Sequence, residues 1–353
     1  MILHYIFPQK LNLYRSIKVL EICQYFNINP KIMSIKDAFD KLLSDEDNAG
    51  NFELFITTTN RDGSPYHPLP NGSISNFSFF SDRHQGGIQK LPQGGYVVSG
   101  SANSQSYLYF TDESLHVQKV VLTSSTFNHG GGLQIVDNIL VVGLEIIGER
   151  TGGSEVKFYR IFDNPSDPTS LNPISIDPLT IHRSGANDTA GACGLCDFEG
   201  GSLLVVANWD AERLDFYTAG VSVQNLSAQT SSVFTPINSV PNESGAYQNI
   251  NLFTDPVSSG TAWLIAMSSD TRLGNHDRAD LYKVETTGSG ISLTQIIPNK
   301  HFHRNISGPR FLHGSGCFYD SALEQFKVFS IEKQFSSGNP RKSRCCLWEK
   351  YDM

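Results

Sequence analysis

The sequence predicts an all-β fold in which a unit of four strands recurs five or six times. Three observations carry that expectation. Charged residues make up only 18% of the chain while it holds 30 Gly, 22 Phe and 13 Tyr, which suits twisted sheet better than helix. The pattern His-x-Gly-Gly occurs at His84 and again at His129, each time ahead of an apolar hairpin. From residue 84 onward that hairpin keeps returning, followed by a strand rich in aromatics, with no helical pattern between the copies.

Residues 1–50 stand apart as an N-terminal extension, and residues 51–353 carry the repeats. Within the extension, "SIKDAFDKLLSDEDN" (34–48) reads as a capped amphipathic helix with Ser34 or Asp37 near its start. Two strands follow, "NFELFITTTN" and "SISNFSFFSD", separated by the turn-rich "RDGSPYHPLPNG". The first unit then reads "HQGGIQKL", "GGYVVSGS", "QSYLYFTD", and the second "HGGGLQIV", "NILVVGLE", "EVKFYRIFD". The third reads "GACGLCDF", "GSLLVVANWD", "ERLDFYTAG", and the fourth "AYQNINLF", "TAWLIAMSSD", "RADLYKVE". The fifth reads "HGSGCFYD", "EQFKVFSIEK", "SRCCLWEKYD". Matching positions Gln89, Gln134, Cys196, Asn251 and Phe318 lie 45, 62, 55 and 67 residues apart. A further β-type run closes the unit, as at 116–125 and 291–302. The second strand of most units is apolar on both faces, as a strand between two neighbouring sheets must be.

Four strands per unit of about 45–65 residues, over about residues 50–353, resemble the blades of β-propeller proteins. The resemblance implies a radial ring closed by the N-terminal strands, since an open ring leaves unpaired edges. Six blades are favoured over five, because "NFELFITTTN" would otherwise have no role. WD and kelch signatures are missing, so the resemblance names an architecture and no enzyme family. Propellers host hydrolases, lyases, cyclases, lectins and scaffolds alike.

A net charge of −8 argues against a nucleic-acid binder, which needs a basic footprint, and the short run Arg341–Arg344 reads as a solvated tail. No stretch approaches the ~20 apolar residues of a membrane span. No secretory pattern opens the chain. The six scattered Cys read as free thiols of a reducing, cytoplasmic compartment, although six Asn-x-Ser/Thr matches pull the other way.

Two columns of equivalent positions could carry chemistry. Five residues before the matching positions stand His84, His129, Gly191, Ala246 and His313, three His in a chain with only 10. At one rim of a central channel, His84, His129 and His313 would bind a divalent metal or act as general acid and base. Alternatively the histidines and glycines are structural, the glycines permitting close approach at a crowded axis. The second column ends the second strands: Glu145, Asn208 with Asp210, Asp270 and Glu332. It is placed at the end of the blade opposite the histidines, as a carboxylate pair, a hard-cation site or plain turn capping.

Cys193-Gly-Leu-Cys196 lies in a strand context, not at the helix N-terminus a redox pair wants. The stretch 268–280 reads as a long polar loop with Arg272, His276, Asp277 and Arg278. His301 and His303 alternate, which places both on one face of a strand.

The expected function is an enzyme with a small, partly apolar or cyclic ligand in the central funnel. Hydrolase, lyase and natural-product cyclase chemistry are all open. His84, His129, His313 and Glu145 would be its catalytic residues, and Gln89, Gln134, Asn208, Asp210, Asn251 and His276 its substrate contacts. The alternative is a non-catalytic recognition propeller for glycan or protein. The variation of the opening motif between units favours one composite site over five equal ones.

Overall fold

The computed structural model describes residues 32–44, 49–56, 85–102, 105–146, 148–185, 187–258, 260–270, 276–288, 290–334, 336 and 341–349. The helix is α1 (Ile35–Lys41), with the Ser34 side chain accepting from the Asp37 backbone N–H at 3.1 Å. It is shorter than the sequence pattern predicts, because Leu42 already has extended backbone. Its Ile35, Ala38 and Phe39 are buried against the fourth and fifth units.

A lone strand β1 (Ala49–Ile56) is followed by four strands of unit I: β2 (Gln85–Lys90), β3 (Tyr96–Ala102), β4 (Gln105–Thr111) and β5 (Val117–Ser124). Unit II has β6 (His129–Val136), β7 (Ile139–Glu145) and β8 (Ser154–Phe162). Its outer position is shared by two short strands, β9 (Leu171–Ser175) and β10 (Ile181–Arg183), which pair with opposite halves of β8. Unit III is β11 (Ala192–Phe198), β12 (Gly201–Ala207), β13 (Arg213–Ala219) and β14 (Thr235–Pro241). Unit IV is β15 (Asn249–Thr254), β16 (Ala262–Asp270), β17 (His276–Thr287) and β18 (Gly290–Phe302). Unit V is β19 (Arg310–Asp320), β20 (Gln325–Ile331) and β21 (Arg341–Glu349), and its fourth strand is β1.

β1 pairs antiparallel with β21 over eight residues, from Ala49 opposite Trp348 to Ile56 opposite Arg341. The expectation that "NFELFITTTN" opens a sixth blade is therefore corrected. The strand completes the fifth unit, the other of the two places open to an N-terminal strand that closes the ring. The strand expected at 74–80 lies outside the described residues.

The described residues form a closed ring of five units. One hydrophobic cluster fills each successive interface: Val97 with Leu140 between I and II, Val141 with Leu204 between II and III, Val205 with Leu264 between III and IV. Ile265 with Val328 fills IV–V, and Phe329 with Val98 closes V–I. Neighbouring residues of one second strand thus serve opposite interfaces, as Val97 and Val98 do. That explains why β7 and β12 are buried at every position. The molecule is a β-propeller.

The glycines of the opening motif have two physical tasks. Between Gln85 and Gly87 the β2–β3 register slips, and between Gly130 and Leu133 the β6–β7 register slips, so the glycines of each motif lie in a β-bulge. The inner strands also touch there. A Cβ on Gly86 would lie 2.0 Å from the Gly130 carbonyl oxygen, and one on Gly131 would lie 2.1 Å from that of Gly191. The expected polar loop at 268–280 is instead the β16–β17 hairpin, of which 271–275 lie outside the described residues. Among the described residues no helix is long and apolar enough to cross a membrane.

Candidate active site at the channel rim

Because β6 and β7 are antiparallel, the start of β6 lies across from the end of β7, and His129 is the direct partner of Glu145. The imidazole Nδ1 is 3.0 Å from Glu145 Oε1, with the residues 8% and 2% exposed. The sequence expectation had put the acidic column at the far end of the blade, and this is corrected. In a hairpin the end of the second strand shares a rim with the start of the first.

The row runs on across unit II: Glu145 faces Ser154 on β8, and Ser154 faces Arg183 on β10. Directly opposite residues project from the same face of a sheet. Here it is the face that sends Val141 and Val156 toward unit III. Across that interface the buried Arg183 guanidinium bonds Asp215, and Arg213 reaches Asp188 at 2.6 Å and Asp215 at 2.7 Å. Burial by itself would raise the Asp215 carboxyl, but bonds from Arg213 and Ser239 and the Arg183 charge hold it below the usual range. Glu145 Oε2 and two Arg183 nitrogens, Nε and Nη1, are buried without a hydrogen-bond partner. The dyad therefore sits beside an ion-pair network tying units II and III together.

His313 stands in a larger irregularity. Arg310 pairs with Ile331 while Ser315 pairs with Ser330, so residues 311–314 bulge out of β19 at the rim. Burial, with Arg310, Lys333 and Arg304 nearby, pushes the His313 imidazole down to about 4. His84 lies outside the described residues. Among the described residues no three His, Cys, Asp or Glu come together in a way that could hold a metal ion.

Gln89, Gln134 and Asn251, expected as substrate contacts, are at most 2% exposed and bonded to one another's strands. Gln89 Nε2 donates to Asn251 Oδ1 at 3.2 Å. Gln134 Oε1 accepts from Leu195 and Leu252 backbone N–H at 2.9 and 2.8 Å, and Asn251 Oδ1 accepts from Cys317 at 3.0 Å. These amides join units I to V across the axis and fill it. Asn208 braces the β12–β13 turn, its Oδ1 accepting from Arg213 N–H at 2.8 Å. Asp210 is exposed beside Arg150, at 3.8 Å. His276 begins β17 opposite Asp270, its side chain outside the description. Glu332 is held by Arg344, whose Nε lies at 2.7 Å. His301 ends up in β18 and His303 beyond its end, so they do not share a strand face as expected.

Cys193 packs toward unit II and Cys196 toward unit IV, because an offset of three in a strand reverses the face. Side chains facing opposite ways do not form a redox pair, and burial pushes both thiols up to about 12.

A separate cavity of about 390 Å³ opens at the other mouth of the channel, where the inner strands end. All five units line it, through Lys90, Asp137, Asp197, Thr254 and Tyr319 among others. Gln134 is the one expected site residue, among those described, that reaches it through the buried plug; Arg183, Asp215 and Arg310 at the rim were not anticipated. Arg183 lies on a three-residue strand outside the repeat, so the column comparison could not reach it.

No family model and no curated protein matches the chain. Among solved structures it is similar to the GH32 beta-fructofuranosidase of Bombyx mori, at 9% identity over 74% of this chain and TM-score 0.42; it spans 58% of the length of that protein. It is also similar to an exo-1,5-alpha-L-arabinanase from a bovine ruminal metagenomic library, at 9% identity over 73% of this chain and 90% of that one, TM-score 0.42. The alpha-L-arabinofuranosidase of Podospora anserina solved with cellotriose gives 8% identity over 84% and 97%, TM-score 0.43.

Proposed function

We propose that this propeller is a hydrolase that works by general acid–base chemistry at the rim of its channel. His129 is the proton carrier and Glu145 the carboxylate that orients it. The observation that supports the reading is the buried pair itself, with His129 Nδ1 3.0 Å from Glu145 Oε1 on directly opposed residues. A carboxylate on Nδ1 orients the ring and fixes its tautomer, which is what a general acid–base group requires. A positioned base of this kind can activate water for attack, the step that hydrolysis requires.

The test is turnover of a panel of chromogenic glycosides and esters. His129→Ala and Glu145→Gln are expected to lower turnover by about 10²–10⁴-fold while the circular dichroism spectrum stays that of the parent. Retained turnover in both variants would sink the assignment. One observation favours a second reading, a non-catalytic recognition propeller: the cavity lined by all five units lies at the mouth away from the dyad. In that case Asp197→Asn weakens ligand binding and His129→Ala leaves it unchanged.

A further inference from the structure

We infer that the unit V side of the rim is an oxyanion-binding site, centred on the guanidinium of Arg310, and that its ligand carries a carboxylate or phosphate group. The site does not depend on whether His129 and Glu145 catalyse.

Three elements build it. The β18–β19 connection brings Arg304, the first residue of β19 is Arg310, and the chain after β20 brings Lys333. All three cations act on His313, which stands in the bulge at residues 311–314. The anionic groups nearby do not balance them. Glu332 is engaged by Arg344, at 2.7 Å from Nε and 2.8 Å from its backbone N–H. That leaves the buried Asp277, whose Oδ2 is 3.5 Å from Arg304 Nε. Among the described residues Asp277 is paired with Arg304, which leaves Arg310 and Lys333 as cations without an ion pair, in a chain whose net charge is −8. A local positive surplus on an acidic protein is a directed feature, because the rest of the molecule repels anions.

The guanidinium itself points to the ligand. Nε and Nη2 of Arg310 have no hydrogen-bond acceptor. These two nitrogens form the side edge of the guanidinium, whose parallel N–H groups match the two oxygens of a carboxylate or phosphate. Buried donors in folded proteins are nearly always paired, so an unpaired fork calls for an acceptor from outside the chain. The depressed His313 imidazole agrees, since burial first and the three cations after it keep the ring neutral. A neutral ring can still donate one hydrogen bond to the same anion.

Glucuronate and glucose 6-phosphate, with glucose as the uncharged control, test the site by calorimetry at low salt and by the His313 ring resonances. The anionic probes are expected to bind at least tenfold more tightly than glucose and to move the His313 signals. Arg310→Gln should lose at least tenfold in affinity. Lys333→Gln, an exposed position whose change leaves the fold intact, should lose about threefold through the field alone. A response to only one of the two anions identifies the carboxylate or the phosphate as the recognised group. Equal binding of glucose, or anion binding that neither variant weakens, overturns the proposal.

Discussion

At His313 burial and three neighbouring cations combine to keep an imidazole neutral at a pH where it would otherwise charge. Its folded value of about 4 lies below the ordinary 6.5, so protons bind the unfolded chain first. The stability it contributes is present above about pH 6.5 and is lost as pH falls toward 4. The parent should therefore lose denaturation midpoint between pH 7 and 4.5 more steeply than His313→Gln, as urea titrations at several pH values would read. Parallel slopes would mean that the imidazole is not held neutral. The sequence singled out His129 and Glu145 as candidates, and the fold brings these two together. Equivalent positions in the repeat mark both residues, but their pairing depends on the hairpin, which brings the end of β7 back to the start of β6. Gln89, Gln134 and Asn251 stood out for their equivalent positions. Equivalence at the axis also means mutual contact, and the sequence alone does not distinguish amides that face a ligand from amides that face each other.

The element that explains the repeated His-x-Gly-Gly is the bulged inner strand. Two glycine bulges sit where neighbouring inner strands come within van der Waals range, and the atoms a new Cβ would meet are backbone. Backbone cannot rotate away as a side chain can. Gly86→Ala should therefore destabilise by about 1–3 kcal/mol, the usual cost of forcing extra carbon into a packed core. Gly220→Ala is the matched control, since a Cβ there meets nothing within 4 Å, and should stay within about 0.5 kcal/mol. Chemical denaturation of both variants checks the contrast, and equal effects would refute the close-approach account. Hairpins were the most legible elements, because apolar runs and turn residues mark them directly. The β16–β17 hairpin carries a loop-like sequence because polar residues such as Asp277 and Arg278 sit within β17. Asp277 is nevertheless fully buried, held there by Ser269 and Arg304.

For the whole molecule the decisive contact is between two segments almost 300 residues apart in sequence, β1 and β21. No local pattern announces such a pairing. What was legible is the need for it, since a ring of sheets with an unpaired last strand would expose an edge. Closure has an energetic consequence. Leu54 on β1 is fully buried and packs with Ile88, Val98 and Phe329, so it belongs to the interface joining the last unit to the first. Truncating a buried Leu to Ala typically costs about 2–5 kcal/mol. Every unit has two neighbours and no free end, so loosening one interface removes support from both sides and then from the next. Leu54→Ala should thus accelerate amide exchange in β12 of unit III, distant from the substitution, as well as in β20 of unit V. Hydrogen exchange followed by mass spectrometry resolves these strands separately. If only β20 and β21 exchange faster, the units are energetically independent and closure by β1 stabilises unit V alone. If β12 follows them, the ring unfolds as one body, and residues 49–56 hold the rim that carries His129 as well as the strand they pair with.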